Sequence, residues 1–323
     1  MTDGLKQRHP LAAIIALAVA LAGTTALAAP SCDDLAHRLD EDGKSMTAIE
    51  ISNLLFAAAD QGCTPLVQRL IDGGASVDAR DRFGSKPLAH AARAGQLATV
   101  RLLLARGAPI DARNLAGASA LYGAVEAKRA DVARALIERG ADVNLTGRSD
   151  LPPLSLAAYN GDPALVSLLL DKGARVDAAD KTGKTPMVYA AGRGAVAVVE
   201  RLLAQGVDVN ARYAHELTAL MWVAGHDDDA APADCVRLAA LLLDRGARLA
   251  DHDDRGRTGL MLAAERGDTG MGELFLSRGA DAAAKDQAGK TAADLTVKTE
   301  LRSRLLARAD QRLGRSDHGL SVA

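Results

Sequence analysis

A Gly-Ala pair or its Gly-Val equivalent closes an apolar run at Gly74-Ala75, Gly107-Ala108, Gly140-Ala141, Gly173-Ala174, Gly206-Val207, Gly246-Ala247 and Gly279-Ala280. The intervals are 33 residues four times, then 40, then 33. A second landmark keeps the same beat: Lys86-Pro87, Ser119-Ala120, Pro152-Pro153, Thr185-Pro186, Thr218-Ala219, Thr258-Gly259 and Thr291-Ala292. Two landmarks in phase over seven units restrict the chain to a stack of repeats, each packed on its neighbours. Aromatic residues make up only 2% of the chain against 48% hydrophobic, so the layers are thin and filled with small side chains.

One unit shows the physics. Asp180 to Gly183 reads as a hairpin-type turn, with Gly183 supplying a positive φ. Thr185 is placed to cap a helix whose first turn accepts Pro186. Ala190 and Ala191 give that helix a smooth face for close approach, and Gly192 to Gly194 break it. The second helix carries Val198, Val199, Leu202 and Leu203 as an apolar stripe, and Gly206 fits the left-handed position after its end. Turn, helix, loop and helix in 33 residues cannot bury both apolar faces alone.

In these residues the chain resembles an ankyrin-repeat protein, over roughly residues 48–298. The pattern is carried by Asp81, Gly84, Pro87-Leu88, Ala91-Ala92, Gly95, Leu102 to Leu104 and Gly107-Ala108, and again from Asp180 to Val207. The resemblance implies an all-α solenoid with short β-hairpin turns. Full repeats fall at 48–80, 81–113, 114–146, 147–179, 180–212, 213–252 and 253–285, with a partial eighth from 286. The family's His after Pro-Leu is missing; that slot holds Phe56, Ala89, Tyr122, Ser155, Val188, Met221 and Met261. The bonds that His supplies to the turn must come from elsewhere. Asp150 and Glu216 stand in place of the turn glycine, at about 1–2 kcal/mol for a left-handed residue, so fingers 4 and 6 are expected to bend differently.

The ends read as caps. Residues 29–47 hold a polar helix from Asp33 to Asp42, and residues 299–323 hold a last helix and a tail that frays from about Gly314. Cys32 begins the first cap and Cys63 lies beside Gly62 in the first repeat. A Cys32–Cys63 bridge would staple cap to solenoid and leave Cys235 free; the alternative is three reduced thiols.

Residues 1–28 have the layout of a secretory signal peptide: basic Lys6, Arg8 and His9, the apolar run Leu11 to Ala22, and the small-residue box Ala26-Leu27-Ala28. The run is too short for the ~30 Å hydrocarbon core, so cleavage after Ala28 is expected, with an uncleaved anchor as the alternative. The mature chain then works in the periplasm, free of the membrane.

Several chemistries find little support. A net charge of −2 argues against nucleic-acid binding through global positive charge. Gly183-Lys184-Thr185 lacks the upstream glycine of a phosphate loop, since Ala178 stands there, and no cofactor is expected. The acidic insertion His226 to Asp234 and the cluster Asp251 to Asp254 offer cation ligands, but lie at opposite ends of a helix and read as solvated loops. No nucleophile and base fall into a catalytic spacing, so an enzyme is not expected.

What remains is a binding surface. In ankyrin-like proteins, fingertips and first helices line a concave face that grips other proteins. Here those slots hold Arg82, Arg93, Arg113, Arg148, Lys181 and Arg193, with fewer acids. The aromatics Phe83, Tyr159, Tyr213 and Trp222, with Asn160 and His215, fall in the same slots. Repeats 4–6 hold the only Trp, three of the four Tyr, both abnormal turns and the insertion. The expected function is a monomeric, non-catalytic module that binds, inhibits or protects a protein with an acidic surface. The alternative is an accessory factor for envelope stress or for a periplasmic enzyme.

Overall fold

The computed structural model describes residues 30–225 and 230–317. The expected signal segment, residues 1–28, lies outside the described residues, as do the acidic positions 226–229 of the insertion and residues 318–323. Helix α1 (Cys32–Asp42) caps one end of the stack. Helix pairs follow: α2 (Ala48–Gln61) with α3 (Thr64–Asp72), α4 (Pro87–Ala94) with α5 (Leu97–Ala105), and α6 (Ala120–Glu126) with α7 (Ala130–Glu138). Next come α8 (Pro153–Asn160) with α9 (Pro163–Asp171), and α10 (Pro186–Gly192) with α11 (Val196–Ala204). Then α12 (Ala219–Ala224) precedes α13 (Pro232–Asp244), and α14 (Gly259–Arg266) precedes α15 (Thr269–Ser277). Short α16 (Ala292–Leu295) and long α17 (Thr299–Asp317) close the far end.

The first helix of each pair packs on the first helices of adjacent repeats, and the second helices do the same. The alanine pairs make this possible: Ala58-Ala59, Ala91-Ala92, Ala157-Ala158, Ala190-Ala191 and Ala263-Ala264 are fully buried. Val199 and Leu202 of the outer stripe are buried too. One continuous core runs from Leu35 to Leu305.

Helix starts follow side-chain chemistry where a hydroxyl is free to turn inward. The Ser119, Thr218 and Thr258 hydroxyls accept from the backbone N–H of Tyr122, Met221 and Met261. Thr185 does not cap in this way. Its backbone takes the N-cap conformation without a capping hydrogen bond, and its hydroxyl lies beside the Tyr213 phenol instead.

Among the described residues no strand forms; the fingers are turns, with one isolated antiparallel bridge between His252 and Thr258. Most close as Asp81 to Gly84 does, with Gly84 N–H on the Asp81 carbonyl and a left-handed Gly84. Finger 6 keeps that closing bond, from Glu216 N–H to the Tyr213 carbonyl at 3.0 Å, but fingers 4 and 6 differ from the rest in backbone conformation. Ser149 and Asp150, then His215 and Glu216, are paired left-handed residues, and Leu151 N–H reaches the Arg148 carbonyl at 3.1 Å. Positive φ at both central residues is the signature of the primed hairpin turn, adopted here by non-glycine residues.

The bonds that the absent family histidine would supply come from three other residues. Asp81 and Asp180 each use one carboxylate oxygen to accept backbone N–H groups of their own turn. The other oxygen of Asp81 meets His90 Nε2 at 3.2 Å, and that of Asp180 takes the Tyr189 hydroxyl at 2.5 Å. At Asp253 the Arg257 guanidinium fills the role, at 2.9 Å.

The caps are anchored at both ends. Ser31 and Asp34 form a capping box at the start of α1. Cys32 and Cys63 form a disulfide with Cα atoms 5.4 Å apart, and Cys235 is a buried free thiol. Leu301 and Leu305 seat α17 on the stack. That helix runs from Thr299 to Asp317.

Candidate functional site

The first helices and fingers of repeats 4–6 gather aromatic and cationic groups on one face. The Arg193 guanidinium carbon lies 5.0 Å from the centroid of the Tyr159 ring, and Tyr159 meets Tyr189 edge-on with centroids 6.2 Å apart. Tyr189 donates to Asp180. One repeat further on, the Lys184 ammonium sits 5.3 Å from the centroid of the Trp222 ring. Residues from three successive repeats therefore form a ladder of ring, cation and carboxylate.

Burial and this bonding set the electrostatics. Burial, then the bond to Asp180, raises the Tyr189 phenol far above its ordinary pKa. Burial alone would raise Asp180 too, but the bonds from Tyr189, Thr182 and the Lys184 backbone hold its carboxyl below the ordinary range. Burial pushes Tyr213 up to about 12, against the pull of the Thr185 hydroxyl. Neither of those two hydroxyls finds a partner of hydrogen-bonding geometry among the described residues, and Ser155 Oγ and Trp222 Nε1 are likewise buried without one. A buried polar group gains when it finds a partner, since leaving it unmade costs about 1–3 kcal/mol.

Ankyrin-repeat family models match this chain: a three-repeat model over residues 54–147 and 154–238, and a single-repeat model over residues 255–287. The chain belongs to the ankyrin-repeat family. The crystal structure of the human ASB11 ankyrin repeat domain is similar to it, at a TM-score of 0.62 and 28% identity, covering 69% of this chain and 98% of that one. No curated protein sequence matches it. Ankyrin repeats mediate protein–protein contacts and are in general non-enzymatic scaffolds, and the matched models are repeats alone.

On this ankyrin solenoid the expected contact residues divide into groups. Arg193, Tyr159 and Trp222 join the ladder. Arg193 is half-buried rather than exposed, because its guanidinium lies over Tyr159. Arg82, Arg93 and Arg148 are exposed, Arg82 lying 4.7 Å from the centroid of the exposed Phe83 ring. Lys181 faces Asp150 at 3.8 Å, and His215 meets Asp254 at 3.0 Å. Tyr213 packs its hydroxyl beside Thr185.

Two expected contacts serve the fold. Arg113 donates to the Gly117 carbonyl at 2.7 Å and to the Thr146 carbonyl of the next finger at 2.9 Å. Arg80 and Arg212 reach the carbonyls of Arg113 and His252 in the same way. These arginines clamp adjacent fingers, so part of the basic stripe is structural. Asn160 gives its amide to the Val125 carbonyl at 2.8 Å.

The cluster Asp251 to Asp254 is partnered by side chains of the same chain. Asp251 pairs with Arg212 and Arg248, Asp253 with Arg257, and Asp254 with His215. Among the described residues no group of His, Cys, Asp and Glu is arranged to hold a metal ion, and no helix is long and apolar enough to cross a membrane.

The sequence places Lys184 in the basic stripe but does not show that Tyr189 belongs to the ladder. Tyr189 shares its slot with Leu156 and Leu262, which makes it look like packing. The available signal was the vacant histidine slot one residue earlier, since the turn aspartate still needed a donor.

Proposed function

We propose that this ankyrin solenoid is a monomeric, non-catalytic module that binds a protein with an acidic surface through the inner face of repeats 4–6. The reading includes export to the periplasm with removal of residues 1–28, and a role in holding, inhibiting or protecting the partner. The basic start, apolar run and small-residue box before Ala29 support export.

The observation that carries the binding reading is the ladder itself. Arg193 over Tyr159 and Lys184 over Trp222 put two cations against two large rings on adjacent repeats. Rings of this kind anchor interfaces, and cations beside them attract and orient carboxylates. The buried Trp222 N–H adds a donor without an acceptor.

A photo-crosslinking amino acid placed at position 159, and separately at Arg134 of outer helix α7, tests the location. In a periplasmic extract, position 159 is expected to capture a discrete acidic protein that position 134 does not. Equal capture at both positions, or capture at 134 alone, overturns the reading.

A further inference from the structure

Four consecutive fingers present one residue in the same tip slot: Arg82, Leu115, Arg148 and Lys181, 33 residues apart. All four are exposed, Leu115 to 82%. Phe83, next to Arg82, is 56% exposed, and its carbonyl accepts from the Leu115 N–H at 2.9 Å, which ties finger 3 to finger 2. Two large apolar side chains are therefore exposed to solvent on the adjacent fingers 2 and 3. Lys181 is matched by Asp150 at 3.8 Å, so the unmatched part of the row reads basic, apolar, basic from Arg82 to Arg148.

The spacing of this row selects a ligand shape. Packed helices lie about 8–10 Å apart, which sets the step from one finger to the next. A β-strand turns every third side chain to its opposite face. A polyproline-II helix has three residues per turn and rises about 3.1 Å per residue, so every third side chain returns to the same face after about 9 Å. That step matches the row, and carboxylates complement its two arginines.

We propose that the tips of fingers 2–4 form a second binding surface, which takes a polyproline-II segment of a partner protein carrying a carboxylate, an apolar side chain and a second carboxylate at three-residue spacing. The apolar side chain sits on Leu115 and Phe83, and the carboxylates meet Arg82 and Arg148. The pattern reads the same in both chain directions. This surface does not rest on the inner-face reading, because it shares no residue with the ladder.

The test uses three labelled peptides and fluorescence anisotropy. One carries Glu, Leu and Glu three apart with proline between; the second shifts Leu by one position; the third has Lys for both Glu. The first is expected to bind at least about tenfold more tightly than the others. The exposed change Leu115→Ser should abolish that preference, while Arg193→Ala leaves it intact. Equal binding of the first two peptides, or a preference indifferent to Leu115→Ser, overturns the proposal. A concentration-dependent dimer that Leu115→Ser abolishes also overturns it, by giving the tips to a second copy of the chain.

Discussion

Arg193 and Tyr159 come from successive repeats, and the guanidinium of one lies 5.0 Å from the ring centroid of the other. The contact joins repeat 5 to repeat 4 on the face where the partner is proposed to bind. A cation–π pair of this exposure contributes about 0.5–1 kcal/mol. Arg193→Ala should therefore lower the melting temperature by no more than about 2–4 °C. Thermal denaturation of Arg193→Ala, Tyr159→Ala and the double variant measures the coupling. A double variant that loses the full sum of the single effects would mean the two side chains do not interact.

His90 predicts a pH dependence. Its ring joins Asp60 at 2.9 Å and Asp81 at 3.2 Å, and stacks on Phe56. Burial alone would lower the imidazole pKa, but the two carboxylates outweigh it and raise the value above the ordinary one. A raised native pKa stabilises the fold fully below the unfolded value of about 6.5, and that contribution is lost as pH rises through the native value. The melting temperature of the wild type relative to His90→Gln should fall as pH rises above 6.5. A difference that stays constant from pH 6 to 9 would show that the imidazolium contributes nothing.

The disulfide ties α1 to the first repeat across a separation of 31 residues. Closing a loop of that length contributes about 3–4 kcal/mol on the chain-entropy model. Cys63→Ser should destabilise the chain by that order, with amide exchange accelerated first in α1. Uniform acceleration along the whole solenoid would contradict the role of a local staple.

Non-glycine residues at positive φ predict stabilising changes. Lys128 holds the left-handed place between helices that Gly62, Gly95 and Gly161 hold in other repeats, and Asp150 holds the left-handed place in its fingertip turn that Gly84, Gly117 and Gly183 hold in theirs. Lys128→Gly and Asp150→Gly should each raise stability by about 1 kcal/mol, read as about 2–4 °C in melting temperature. A fall in both would mean that these side chains make contacts outweighing the backbone strain.

The repeat register was legible because every unit states its own punctuation. Gly-Ala or Gly-Val closes the second helix, and Thr, Ser, Lys or Pro before Pro, Ala or Gly opens the first. The departures in fingers 4 and 6 were legible for the same reason, since Asp150 and Glu216 break a rule that five other fingers obey. The site was less legible because periodicity places a residue in a slot without saying what its side chain does there. Arg113 and Arg193 both read as free cations; Arg113 spends its donors on backbone carbonyls and Arg193 lies on a ring. Long side chains reach across repeats, and the partner they find depends on the neighbour 33 residues away.

The central claim is that the inner face of repeats 4–6 binds an acidic protein through the ladder. The direct measurement is the dissociation constant of the captured partner for wild type and Arg193→Ala, each at low and high salt. The account predicts a loss of about thirtyfold for Arg193→Ala, corresponding to about 2 kcal/mol. It also predicts that wild-type affinity falls as salt rises, chiefly through slower association. An affinity that ignores both Arg193→Ala and salt would contradict it, and would leave the ladder as packing between repeats.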